Sequence, residues 1–97
     1  MDFKLIWSPQ AIEDIEAIAE YIARDSASYA ESTVERIFQA PEKLMQFPKL
    51  GRVVPEKNDE SVREIFVFQY RIIYEIVVSE IHVLTVVHGK RILEDLI

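Results

Sequence analysis

Apolar positions along this chain change their period several times, and each change marks an element. "FKLIW" (3–7) is a short apolar run with an aromatic at each end, which reads as a first strand. In "SPQAIEDIEAIAEYIAR" the period lengthens. Ile12, Ile15, Ala19 and Ile22 recur at helical spacing, with Glu13, Glu16 and Glu20 on the other side. Ser8 suits the N-cap of that helix, and Pro9 suits its first position, where a missing N–H costs nothing. "RDSAS" (24–28) breaks the stripe. Ser28 with Glu31 has capping-box spacing for a second helix, and Asp25 is the alternative cap. That helix is expected to bury Val34, Ile37, Phe38, Leu44 and Met45. The stripe keeps its phase through Pro41, so the pattern predicts one helix kinked near Gln39–Pro41, or two helices sharing a face.

"FPKLGRVVPEKNDES" (47–61) reads as loop from its two prolines, its glycine and its polar run. Three strands follow. "VREIFVF" (62–68) carries Arg63 and Glu64 inside an apolar run. "YRIIYEIVV" (70–78) alternates Tyr70, Ile72, Tyr74 and Ile76 on one face. "VSE" is the turn, and "IHVLTVV" (81–87) is β-branched and nearly all apolar, as a central strand should be. "KRILEDLI" (90–97) reads as a short terminal helix or tail. The fold class is therefore α+β, in the order β-α-α-β-β-β, with a helical hairpin packed on one face of a small, mainly antiparallel sheet. All 97 residues form one domain.

Composition narrows the chemistry. At 49% hydrophobic residues the chain can bury one core, and it has no cysteine for a disulfide or a zinc–thiolate site. Two histidines and no organised acid cluster argue against a metal, and nothing implies a cofactor. No apolar run approaches the length of a membrane span, and the N-terminus has no signal-peptide character. A cytoplasmic setting fits. The net charge is −6, with 17 acids against 11 bases, so a globally basic nucleic-acid surface is excluded. The acids lie early, four of them in "AIEDIEAIAE", while six of the eleven bases follow Leu50, which leaves room for a local cationic patch.

Candidate chemistry sits at the ends of the most apolar segment, Tyr70-Arg71 and His88-Gly89-Lys90-Arg91. If the helices cover one face of the sheet, Arg63 and Arg71 are expected on the other, joined by Arg91. Two readings stay open. The arginines pair with Glu64 or Glu75 on a solvated face, or they form a concave cationic face for phosphates or carboxylates. Ribose-assisted RNA cleavage needs a base, an acid and cations. His88 is the candidate base or acid, and Arg63, Arg71, Lys90 and Arg91 the cations. His82 reads as a packing or hydrogen-bonding residue. The second sheet face, around Phe66, Phe68 and Val86, is expected to need a cover from an added strand, an amphipathic helix or a second copy of the chain.

"WSPQAIEDIEAIAEYIA", "FPKLGRVVPE", "VREI", "YRIIYEI" and "IHVLTVVHGKR", in this order and spacing, resemble the RelE/ParE superfamily of bacterial toxins over nearly the whole chain. The two-helix front and the "HGKR" close are similar to its ParE-like branch. The resemblance implies a toxin of a type II toxin–antitoxin system, of the plasmid-stabilisation type. Such a toxin would bind and inhibit DNA gyrase, be neutralised by a cognate antitoxin, and meet DNA only through that antitoxin. The alternative implied by the same resemblance is a RelE-like ribosome-dependent endoribonuclease that cuts messenger RNA. Arg71 and Arg91 match positions that are basic in the RelE-like site, whereas "ILEDLI" holds neither the Tyr nor the His that usually closes it. On either reading Arg63, Tyr70, Arg71, His88, Lys90 and Arg91 are the expected contact residues for target or antitoxin.

Overall fold

Two helices and a 3₁₀ turn pack against one face of a five-stranded sheet in the computed structural model, which describes residues 2–91. The elements are β1 (Lys4–Trp7), α1 (Pro9–Ala23), α2 (Ala27–Gln39), the 3₁₀ segment Ala40–Met45, β2 (Arg52–Val53), β3 (Val62–Val67), β4 (Tyr70–Val77) and β5 (Glu80–His88). The strand order is β1-β5-β4-β3-β2. β1 runs parallel to β5 and every other pair is antiparallel. The terminal helix or tail expected at 90–97 lies, from residue 92 on, outside the described residues.

Local chemistry explains the helix ends. Ser8 accepts from the Ala11 N–H at 3.0 Å, and its hydroxyl donates to the Leu84 carbonyl at 2.9 Å, so one side chain caps α1 and ties it to β5. The second cap is Ser26, neither Ser28 nor Asp25: its hydroxyl oxygen accepts from the Tyr29 N–H at 3.1 Å. Ser26 and Ser28 satisfy the same local preference, and the interhelical turn selects between them. α2 ends at Gln39, and the chain tightens into the 3₁₀ segment at Pro41, which has no N–H to continue the α ladder. Ile37 and Leu44, on either side of this break, are both fully buried, so the two pieces share a face as the stripe predicts. Phe38 stays partly exposed against Trp7, with ring centroids 4.9 Å apart.

β2 corrects the expectation of an uninterrupted loop at 47–61. Two residues carry too little periodicity to be seen, and the strand exists because Arg52 and Val53 pair with Glu64 and Arg63. Gly51 precedes it for a steric reason. A Cβ there would lie 2.5 Å from the Glu64 carbonyl oxygen and 2.7 Å from the Tyr74 hydroxyl. Beyond Val83, β1 no longer covers β5. There Leu84 forms a bulge, and Asp14 closes the exposed edge by accepting from the Val86 N–H at 3.1 Å and from the Thr85 hydroxyl.

The main core lies between helices and sheet, with Ala11, Ile15, Ile37, Ile72 and Val83 at its centre. A smaller apolar cluster of Val54, Val62, Ile73 and Val87 sits on the opposite face. Val86 belongs to the main core at 2% exposure, so it is not part of the uncovered surface the sequence suggests. Phe66 does lie on that outer face, half exposed. Phe68 lies in the β3–β4 turn with a positive φ of 53°.

Candidate functional site

The β3–β4 register decides what the candidate arginines can do. Arg63 faces Tyr74 and Phe66 faces Arg71, and directly opposed residues share a face. Arg63 therefore points to the helix side with Tyr74, while Arg71 points away with Phe66 and Glu64. This corrects the expectation that both reach one face. A two-residue turn at Phe68–Gln69 makes every paired number sum to an odd value, so residues eight apart end on opposite sides.

Arg63 is a brace. Its Nε donates to the Glu60 carbonyl at 2.8 Å and its Nη1 to those of Gly51 (2.8 Å) and Lys49 (3.3 Å). It pins the segment before β2, where Tyr74 also donates to the Pro48 carbonyl at 2.7 Å and accepts from the Gly51 N–H at 3.0 Å. Burial pushes the Tyr74 hydroxyl above its ordinary pKa of 10.0.

Arg71 is the hub of the outer face. Its Nε donates to Glu64 Oε1 at 2.6 Å, and Nη1 and Nη2 grip Glu56 at 2.9 and 3.0 Å. Nη1 also donates to the Arg91 carbonyl at 3.0 Å. Glu64 is fully buried and its second oxygen accepts from Arg52. The result is an alternating chain, Arg52–Glu64–Arg71–Glu56, with no net charge. The hydrogen bonds it donates to Glu56 hold the Arg71 guanidinium above its usual, already high pKa. Of the two open readings, pairing with Glu64 describes Arg71, although the pair is buried where a solvated face was expected.

Tyr70, Arg71, His88, Lys90 and Arg91 do converge at one end of the sheet. Tyr70 is the register partner of His88, their rings edge-to-face at 6.0 Å. Burial raises the pKa of Tyr70. His88 is exposed, and its Nδ1 accepts from the Lys90 N–H at 3.2 Å. Gly89 donates from its N–H to the Gln69 carbonyl at 2.6 Å, and a Cβ at Gly89 would stand 3.0 Å from that oxygen. A cleft of about 330 Å³ opens beside this corner between α1 and β5, lined by Asp14, Tyr21, Tyr70, His88 and Arg91 among others. Lys90 and Arg91 are exposed cations. His82 lies away from the corner and bonds Glu80 at 2.8 Å.

Sequence reasoning missed Glu56 and Asp14. Glu56 lies in a polar loop and Asp14 on the acidic side of α1, and nothing local separates either from solvated acids. Glu64 did leave a signal, as a carboxylate inside an apolar strand. Among the described residues no group of three His, Cys, Asp or Glu side chains could hold a metal, and no helix is long and apolar enough to cross a membrane.

Comparison with known proteins extends this description. The sequence model of a family described as the ParE toxin of the type II toxin–antitoxin system parDE matches residues 5–93. A curated protein named Toxin RelE2, from Caulobacter vibrioides, is 27% identical over 90 residues, spanning 92% of this chain and 98% of that protein. Among solved structures, one of the chromosomal ParDE toxin–antitoxin system from P. aeruginosa superposes with a TM-score of 0.75 at 21% identity, over 91% of this chain and 97% of that one. A mutant of E. coli toxin RelE in its free state superposes with a TM-score of 0.66 at 14% identity, over 93% and 86% of the two chains. The structural matches share the arrangement of two helices on a mixed sheet.

Proposed function

The chain belongs to the ParE toxin family of type II toxin–antitoxin systems, and from that footing we propose that it is a toxin that acts by binding DNA gyrase and is restrained by a cognate antitoxin. The observation that carries the reading is the state of Arg71. A ribonuclease centre on the sheet needs cations free to meet the charge that develops on a phosphorane. Here both buried candidate cations are engaged, Arg63 by three carbonyls and Arg71 by two carboxylates and a carbonyl, and releasing Arg71 would strand the fully buried Glu64. What remains at the corner is an exposed histidine with two exposed cations, a surface suited to contact more than to proton transfer.

Purified protein is expected to inhibit gyrase supercoiling or to provoke gyrase-dependent DNA breaks. Folded protein without effect at large molar excess removes the proposal. The antitoxin half is tested separately. A partner that binds only the folded chain adds about 2.7 kcal/mol at a hundredfold excess over its dissociation constant, so the chain co-expressed with the product of the adjacent small gene should melt at a higher temperature than the chain alone.

A second reading rests on the 27% identity to a protein named RelE2. It makes the chain a ribosome-dependent endoribonuclease in which His88, Arg71 and Arg91 serve cleavage. Primer extension after induction decides between them. Codon-phased cuts in messenger RNA favour the second reading, while uncut message with rising DNA-damage signalling favours the first. Both readings place the chain in the cytoplasm.

A further inference from the structure

Two exposed cations stand outside the charge pairing of the outer face. Arg36 and Lys43 make no ion pair among the described residues. With Gln39 between them, they lie on one side of α2 and the 3₁₀ segment that follows, at the spacing of neighbouring helix turns. All three line a cleft of about 320 Å³, and no carboxylate does. In a chain of net charge −6, this place is locally cationic.

The other wall of the cleft is aromatic. It carries Phe66 and Phe68, at 50% and 47% exposure. Phe68 has a φ of 53°, a conformation that suits glycine and strains a bulky residue, and the β3–β4 turn holds it there. Tyr29 extends the surface, its ring centroid 6.0 Å from that of Phe68. Arg36 Cζ stands 5.4 Å over the Phe68 ring, and Arg52 Cζ 5.5 Å over that of Phe66.

Exposed rings attract flat apolar groups, and unpaired guanidinium and ammonium groups attract anions. A purely apolar ligand would leave the cations unanswered, and a bare phosphate would leave the rings in water. The ligand that answers both joins a flat ring to an acid. We propose that this cleft binds one nucleotide of a single-stranded nucleic acid, with its base against Phe66 and Phe68 and its phosphate on Arg36 and Lys43. Bases stack on such platforms with little regard to sequence. The Gln39 amide adds a donor and an acceptor for a base edge. Ligand clefts begin at about 300 Å³, so this one holds a single unit. The inference goes beyond the gyrase reading and rests on this cleft alone, so its failure leaves that reading standing.

The test is fluorescence anisotropy of the full chain with three labelled probes: pentathymidylate, pentauridylate and an abasic DNA pentamer of the same charge. Pentathymidylate should bind saturably below millimolar concentration, and the abasic pentamer about tenfold more weakly, the share of one stacked base. Two phosphate-binding cations predict that log affinity falls with log salt at a slope of about −1.4. Arg36→Gln, at an exposed position, should weaken binding about two- to fivefold and flatten that slope by about 0.7. Phe66→Leu and Phe68→Leu should each cost pentathymidylate about tenfold and leave the abasic pentamer unchanged. The tighter of pentathymidylate and pentauridylate identifies DNA or RNA as the source, and equal affinity means that the cleft takes either strand. Three results would overturn the proposal. No probe saturates at millimolar concentration. The abasic pentamer binds as well as pentathymidylate, which reduces the cleft to unspecific charge. Or Arg36→Gln and both ring variants, at unchanged melting temperature, bind like the wild type, which puts the strand elsewhere on the chain.

Discussion

The two faces of the sheet use the same three strands and are held by different means. Toward the helices, Ile15, Ile37, Ile72, Tyr74 and Val83 are almost fully dehydrated, and the polar exceptions are few. Arg63 and Tyr74 satisfy backbone groups of the segment before β2, while the buried Thr33 hydroxyl has no hydrogen-bond partner among the described residues. Away from the helices a small apolar patch adjoins the chain Arg52–Glu64–Arg71–Glu56. One face is held by filled volume and the other by complete pairing of charge. Volume lost from the first leaves a cavity, with a cost roughly set by its size. A charge lost from the second strands its neighbour. The difference bears on function, because charges committed to each other inside the fold are withdrawn from any ligand.

The largest expected effect is on the filled face. Ile72→Ala should lower stability by about 4 kcal/mol, read from the urea midpoint at unchanged slope. A loss under about 1 kcal/mol would mean that the helix-side core relaxes freely and is not close-packed. On the paired face, Glu64→Leu should cost about 3 kcal/mol by leaving Arg71 and Arg52 without it. The double variant Glu64→Leu with Arg71→Leu should recover most of that loss. If the double variant is worse than the single one by the full cost of Arg71, the faces do not differ in kind.

Thr33→Val sharpens the contrast in the other direction. It keeps the β-branched shape and removes the unpartnered hydroxyl, so stability should rise by about 1 kcal/mol. A fall in the midpoint would show that the hydroxyl has a partner. The smallest effect is a pH dependence carried by Tyr74. Burial raises its pKa in the fold above the ordinary 10.0. Its contribution is therefore fully present below pH 10 and is lost as the pH climbs through the folded value, since the unfolded chain releases the proton first. Melting temperature should fall more steeply above pH 10 in the wild type than in Tyr74→Phe, and parallel curves would exclude the effect.

Much of the architecture was legible because it is encoded by period. The cap at Ser8, the stripe running through Pro41 and the alternation Tyr70, Ile72, Tyr74 each state a local preference that the fold keeps. Features that depend on pairing between distant segments were not legible. β2 is a strand only because Glu64 and Arg63 lie beside it. Ser26 and Ser28 are equally good caps until the turn chooses one. The site shows the same division. Tyr70 and His88 stand at facing strand ends, so their meeting follows from one hairpin.

By itself, then, the sequence determined the order of the elements other than β2, the helix-covered sheet and the family to which the chain belongs, since these rest on patterns repeated over many residues. Only the tertiary structure decided which face each arginine takes and what becomes of its charge. One register step in the β3–β4 hairpin moves every side chain to the opposite side. That step turned Arg63 into a brace beneath the helices. It also set Arg71 beside Glu64, within reach of Glu56 from a loop that no local pattern marks.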